Sequence, residues 1–345
     1  MYFGRYGSNV HINCRFYESR RFKMKRINLI LSLILLISCE QAGTGYSVVH
    51  DWPKLPKGFI LGQVSGVEVD SHDHIFAFHR GKNAAYLGSD SEFQNIQEPT
   101  ILMLDNNSGA LLDSWGKDAF LTPHGLTVDS KDNVWVTDVQ YHQVYKFSHD
   151  GELIMTLGEK SVPGWDKTHF NQPTDMVVAP DGTIYVSDGY GNNRVAVFSP
   201  DGTFKFEWGS GGEGNGQFNL PHGIAMDANG RIYVADRSNS RLQIFKSDGT
   251  FIDAWQSTEI GRPWGMAVGQ DRVLYVVDGG DPSPSGVQRS RIVKMDLSGN
   301  VLGSFGSFGQ YDGQMDWPHD VGVDSKGSVY VGDVHFGMRI QKFAK

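Results

Sequence analysis

"NLPHGIAMDANGRIYVADRSNSRLQIFKSDGTFIDAW", residues 219–255, holds four short apolar or β-branched runs separated by turns. An apolar strand leads to a turn, then to a strand of the form hydrophobic-Tyr-Val-x-Asp. A loop, an Arg-x-x-x-Phe strand, an Asp-Gly turn and a last strand ending in Trp complete the unit. Copies of it begin near Gly62, Leu121, Asn171, Asn219, Gly261 and Asp316. Their second strands read "HIFAFH" (74–79), "VWVTD" (134–138), "TIYVSD" (183–188), "RIYVAD" (231–236), "VLYVVD" (273–278) and "SVYVGD" (328–333). Asp-Gly at 150–151, 201–202 and 248–249 is hairpin chemistry. Six copies of four short strands, at periods of about 42 to 59 residues, predict an all-β, six-bladed β-propeller. The sixth copy stops at "RIQKFAK" (339–345) without an outer strand, and "YSVVHDW" (46–52) has the character of the missing one. The N-terminal strand is therefore expected to close the ring, removing an open edge, within one domain spanning 46–345.

Composition agrees. Of 345 residues 39% are hydrophobic and 20% charged, with 42 glycines and 12% aromatics, which suits a large core threaded by glycine turns. Outside the N-terminus no long stretch has helical apolar spacing between caps.

The N-terminus reads differently. "MKRINLILSLILLISCEQ" (24–41) has a basic start, a short apolar run and Cys39 where that run stops. Residues 24–38 are expected to be a signal peptide. "LISC" resembles a lipoprotein cleavage box, which implies a lipid on Cys39 and a place in a bacterial cell envelope, periplasm or outer membrane. Residues 1–23 resemble no part of a signal, and Met24 is read as the true start. Removing 1–38 takes away seven basic side chains and one acidic, moving the formal charge from −8 to −14. So acidic a body argues against nucleic-acid binding. With Cys14 and Cys39 the only cysteines, no internal disulfide is expected.

The first strand of each propeller blade lines the central channel. Aligned on their glycines, the six first strands place Ser65, His124, Thr174, His222, Trp264 and His319 at one level. Histidine thus occupies alternate blades, and three imidazoles converge on the axis. Three histidines with an open fourth position form a zinc site, with iron or copper as alternatives. Asp320 stands where the other histidine blades have Gly125 and Gly223. It either joins the backbone carbonyls of Val67 and Leu126 around a harder cation such as calcium, or orients a ligand histidine. Blade 1 breaks the second-strand consensus with "AFHRG" (77–81), which brings Arg80 to the channel mouth, where its fork suits a substrate carboxylate. Arg237 holds the equivalent place in blade 4, within ordinary repeat language. Tyr190, in "SDGYGNNR" (187–194), is either a turn tyrosine packed on its loop or a base beside a metal and an arginine.

The ordered set "FHRG", "LTPHGLTVD", "HFNQPTDMVV", "VSDGYGNNRVAVFSPDG", "LPHGIAMD" and "WPHDVGVD" resembles the peptidyl-α-hydroxyglycine α-amidating lyases, six-bladed propellers of NHL repeats. The resemblance runs from about residue 46 to the end. It implies zinc on His124, His222 and His319, calcium at Asp320 with the Val67 and Leu126 carbonyls, and Arg80 with Tyr190 as the catalytic pair. It also implies a lyase that splits an α-hydroxyglycine into an amide and glyoxylate. Trp317 stands where animal members have a methionine lining the channel, so it is expected to touch substrate. Asn171 with Gly191, and Tyr233 with Ile244, replace two cysteine pairs of animal members. The expected partner is a small molecule or peptide with a free carboxylate, met by a monomer that touches membrane only through its lipid. A hydrolase or lactonase on the same metal scaffold, and a non-catalytic envelope binding protein, are the alternatives.

Overall fold

The Val- and Tyr-rich runs that end the second strand in Asp (His in blade 1) form that strand in all six sheets of the computed structural model, which describes residues 45–83, 94–280 and 288–345. Each sheet is antiparallel and four-stranded. Blade 4, for example, runs Pro221–Met226, Ile232–Asp236, Arg241–Phe245, Phe251–Trp255. The innermost strand of each blade touches that of the next, and Pro318–Val323 of the last touches Val64–Val69 of the first, so the ring is closed. Among the described residues the only helical element is the short 3₁₀ turn Arg237–Asn239. The expected leader (24–38), Cys39 and residues 1–23 lie outside the described residues.

Closure is made as the sequence suggests. Ser47–Val48 is the outer strand of the sixth sheet, with Ser47 opposite Ala344 and Val48 opposite Phe343. Tyr46 stacks on Phe305 of blade 5 at 4.5 Å, and its hydroxyl donates to the Gly327 carbonyl at 2.8 Å.

The core lies between blades, where the faces of neighbouring sheets interleave. Phe78 of blade 1 meets Phe120, Leu126, Val136 and Tyr145 of blade 2, nearly all of them out of water. Burial of one such side chain stabilises by roughly 1.5–3 kcal/mol, repeated at six interfaces. The Asp that ends the second strand is buried and does two things. It accepts backbone amides at the start of its own blade's first strand, as Asp138 does from Leu121 and Thr122. In four blades it also pairs with the arginine opening the third strand: Asp188 with Arg194, Asp236 with Arg241, Asp278 with Arg291 and Asp333 with Arg339. Removing one partner of such a pair would leave a buried charge, at a cost of about 3–5 kcal/mol. Where animal relatives were expected to carry crosslinks, the Gly191 amide donates to the Asn171 carbonyl at 2.9 Å, and Tyr233 faces Ile244 across one ladder.

Candidate active site

Every innermost strand carries a register shift near its start: between Val64 and Gly66, Pro123 and Leu126, Pro173 and Asp175, Pro221 and Ile224, Pro263 and Met266, Pro318 and Asp320. A bulge re-aims the side chain within it. The residues at these shifts are Ser65, His124, Thr174, His222, Trp264 and His319. The three histidines are buried, with ring centroids 4.5 to 4.8 Å apart, and their ligand atoms lie within 4.8 Å of one another.

Each imidazole is fixed by the blade that follows it. Nδ1 of His124 meets the Thr174 carbonyl at 2.7 Å, Nδ1 of His222 the Trp264 carbonyl at 3.3 Å, and Nδ1 of His319 the Ser65 carbonyl at 2.6 Å. A carbonyl only accepts, so each Nδ1 carries the proton and each Nε2 keeps its lone pair. Burial pushes all three well below the usual histidine range, and the guanidinium of Arg237 at all three and of Arg80 at His124 and His319 adds to it. Three neutral, oriented Nε2 donors are the set a zinc-like divalent ion requires.

Tyr190 follows the consensus Asp188 of blade 3, and its hydroxyl lies 3.0 Å from Nε2 of His124 and 3.3 Å from Nε2 of His222. Arg237 donates to that hydroxyl from Nη1 at 3.4 Å and lies over the Trp264 ring at 4.4 Å. Arg80 is buried at the corresponding place three blades away, across the ring. It donates from Nε to the Pro123 carbonyl at 2.9 Å and from Nη1 to Gln63 at 2.8 Å. Gln63, Arg80, Tyr190, Arg237 and Trp264, with Arg262, Trp317, His319 and His335, line a cavity of about 260 Å³. Among the described residues three arginines and no carboxylate line it, although the whole chain is acidic. Trp317 sits in the left-handed region at φ 58° and stacks on His335 at 4.4 Å, which makes it a wall of the cavity. Gln172 and Leu220, the equivalent residues of blades 3 and 4, share this conformation at φ 63° and 65°, so it belongs to the turn that enters the inner strand.

Deeper in the channel, Asp320 of blade 6 and Asp175 of blade 3 face each other across the axis. Oδ2 of Asp320 accepts the Val67 amide, and Oδ2 of Asp175 the Ile224 amide, both at 3.0 Å. Gly125 and Gly265 make room for them, since a Cβ at either would lie 2.6 or 2.4 Å from the facing Oδ1. Between histidines and aspartates lies a small space of about 10 Å³, room for about one water-sized sphere. Burial pushes both aspartates above the ordinary carboxylate range, and at Asp175 repulsion from Asp320 adds to it. Glu68, further along the channel, is pushed up to about 8 by burial and then by Asp320. Facing carboxylates with so little compensation suit a hard, oxygen-liganded cation such as calcium. Val67 meets Asp320 through its amide, and Leu126 is buried on the neighbouring inner strand.

The structure brings Arg80, Tyr190, Arg237, Trp317 and the three histidines together. Sequence reading missed Asp175, whose signal was available: "PTDMVV" (173–178) places Asp where "PHDVGV" (318–323) places Asp320. It also missed Gln63 and Arg262, which hold in blades 1 and 5 the place Trp317 holds in blade 6, and His335, which stands two residues past Asp333 as Tyr190 stands two past Asp188.

The NHL repeat model matches residues 120–147, 170–198 and 218–245. Over 308 residues the chain is 39% identical to the peptidylglycine alpha-amidating monooxygenase of Rattus norvegicus; this covers 83% of the chain and 30% of the rat protein, so the chain spans about a third of that relative. It is 30% identical over 321 residues to the peptidyl-alpha-hydroxyglycine alpha-amidating lyase 2 of Drosophila melanogaster, covering 86% of the chain and 75% of the fly protein. Among solved structures a streptogramin B lyase shares the fold at TM-score 0.55 and 14% identity, over 83% of this chain and 95% of that one. On the histidine trio, the tyrosine beside it and an identity that spans most of the fly enzyme, this chain belongs to the peptidyl-α-hydroxyglycine α-amidating lyase family.

Proposed function

We propose that the protein is a zinc-dependent lyase that cleaves the N–Cα bond of a peptidyl- or N-acyl-α-hydroxyglycine, giving an amide and glyoxylate. The observation that carries this reading is the Tyr190 hydroxyl, within hydrogen-bond reach of two of the three ligand nitrogens at the floor of an arginine-lined cavity. A divalent ion held by Nε2 of His124, His222 and His319 supplies Lewis-acid activation of the substrate hydroxyl. Tyr190 takes the hydroxyl proton. The C–O bond becomes the aldehyde of glyoxylate, the N–Cα electron pair leaves on nitrogen, and the proton held by Tyr190 returns to that nitrogen. No water is consumed.

Arg80 and Arg237 bind the substrate carboxylate from opposite sides, and a fork-shaped cation on each side fixes the reacting geometry. Gln63 and the Pro123 carbonyl hold Arg80 in place. Trp264 and Trp317 wall the cavity against water. Asp175 and Asp320 would hold a hard cation such as calcium, which would neutralise their facing charges. The protein works as a lipid-anchored monomer of the bacterial envelope, through Cys39.

The test is glyoxylate release from a synthetic N-acyl-α-hydroxyglycine by zinc-loaded residues 40–345. Release that depends on His222 supports the reading. A loaded three-histidine centre that forms no glyoxylate would sink it and direct the search to lactones and esters.

A further inference from the structure

A second convergence of metal-binding side chains lies far from the channel histidines, at the other end of the blade 1 inner strand. Asp70, His72 and His74 come from the turn between Val64–Val69 and His74–His79 of blade 1. His149 comes from the outer turn of blade 2, between Gln143–Phe147 and Leu153–Leu157. One ligand atom from each of the four lies within 4.8 Å of all the others. From Asp70 Oδ2, Nδ1 of His74 and Nε2 of His149 are both 2.9 Å away, and Nδ1 of His72 is 3.9 Å away.

The repeat shows what is unusual here. The aspartate at this turn has two tasks in other blades. Its Oδ1 accepts two turn amides, and its Oδ2 accepts a fixed donor six residues on: the Trp135 indole for Asp129, the Tyr233 hydroxyl for Asp227, the Tyr330 hydroxyl for Asp324. Asp70 keeps the first task, taking the amides of His72 and His74 at 2.9 and 2.7 Å. For the second, blade 1 has Phe76, which has no donor. The side chain of Asp70 is wholly buried, yet Oδ2 is left to imidazoles alone. The turn is tied to the neighbouring blade, because Asp132 accepts both the amide and the hydroxyl of Ser71, at 3.0 and 2.8 Å. The donors are therefore assembled before any ion arrives.

We propose that Asp70, His72, His74 and His149 bind a zinc-like divalent ion that staples blade 1 to blade 2. Bonds of about 2.0 Å in a tetrahedral site put neighbouring ligand atoms roughly 3.3 Å apart. The present separations of 2.9, 2.9 and 3.9 Å bracket that value, so small side-chain rotations suffice. Three imidazoles and a carboxylate favour zinc, copper or nickel over calcium or magnesium. His72 is exposed, which gives the ion a route in, and Asp132 and Asp150 lie 3.6 and 3.7 Å from imidazole nitrogens, adding negative charge around the site. His74 and His149 would give up their hydrogen bonds to Asp70, and each of the three rings would turn a lone pair to the ion. All four ligands are filled by protein, which makes this a structural site rather than a reactive one.

Zinc alone is the probe. Wild type, the double variant His72→Ala/His149→Ala, the single variant His74→Gln and the channel variant His222→Ala are each loaded, dialysed against a weak chelator and analysed for zinc per chain. Asp70 is left in place because it holds the turn backbone. The wild type is expected to retain one equivalent more than either outer variant, and zinc is expected to raise its melting temperature by more. Glyoxylate release should be unchanged in the outer variants. Loss of the channel equivalent in His222→Ala should leave the outer one, so the two sites fail separately. If both outer variants, folded by circular dichroism, retain as much zinc as the wild type, the proposal is overturned.

Discussion

The hydroxyl of Tyr190 lies 3.0 Å from Nε2 of His124, reaching from one blade to the histidine of the blade before it. His124 has its other nitrogen committed to the Thr174 carbonyl, so this contact falls on the lone pair a metal would take. The tyrosine oxygen and a substrate hydroxyl bound at the centre would then be hydrogen-bond neighbours. Tyr190→Phe removes only that oxygen. It is expected to lower kcat by about 10²–10⁴-fold, the usual range for a lost general base, with zinc content unchanged. Turnover near wild type in the metal-loaded variant would remove Tyr190 from the mechanism.

Arg80 and Arg237 belong to opposite blades and both open onto one cavity. If they clamp a carboxylate, a substrate whose carboxylate is replaced by a carboxamide should lose kcat/KM by roughly ten- to a hundredfold, from hydrogen bonds to charge worth about 1.5–3 kcal/mol. Arg80→Ala should lower kcat/KM for the acid and leave the carboxamide nearly unaffected. Equal losses on both substrates would mean that Arg80 serves the fold rather than the carboxylate.

The repeat made the ring legible before any coordinates: the strands "VWVTD" and "VLYVVD" are observed as Val134–Asp138 and Val273–Asp278, and the missing outer strand is Ser47–Val48. The histidine trio was legible because six-fold order turns equal positions in alternate blades into neighbours. Asp175 obeys the same arithmetic but follows Thr174, in a blade without the histidine, so a comparison among the histidine blades passes over it. The Asp70 cluster was beyond reach for another reason. His149 lies 79 residues from Asp70 and enters from an outer turn, so only the packing of blade 2 on blade 1 brings them together. Gln63, Arg262 and His335 hold the repeat positions of Trp317 and Tyr190, but the residue type changes from blade to blade, so the pattern marks the place without marking the chemistry.

Asp175 and Asp320 make a prediction about chelation. Two buried carboxylates that face each other repel when both are ionised, and a bound cation removes that cost. Stripping calcium with EGTA is expected to lower the melting temperature of the wild type. Asp320→Asn, with one charge fewer, should be nearly insensitive to EGTA. A wild-type melting temperature that ignores EGTA at neutral pH would rule out the hard-cation reading.

His79 gives a pH dependence whose sign is fixed by a single hydrogen bond. It replaces the consensus aspartate of the second strand, and its Nδ1 accepts the Gly81 amide at 3.0 Å, which only a neutral imidazole can do. Burial pushes it down to about 4, against the weaker opposing influence of Pro99 and Glu98. In the unfolded chain the ring takes a proton near its ordinary value of about 6.5. Between those two values the unfolded state binds more protons than the folded one, so stability falls as pH drops from about 6.5 to about 4. The whole window is worth on the order of 3 kcal/mol, since each pKa unit is about 1.4 kcal/mol. His79→Asn keeps an acceptor for the Gly81 amide and cannot titrate. Urea unfolding of both proteins at pH 7.5 and pH 4.5 should show the wild type losing that much more on acidification. Parallel losses in the two proteins would mean that His79 is protonated in the fold, with its ring turned away from the Gly81 amide.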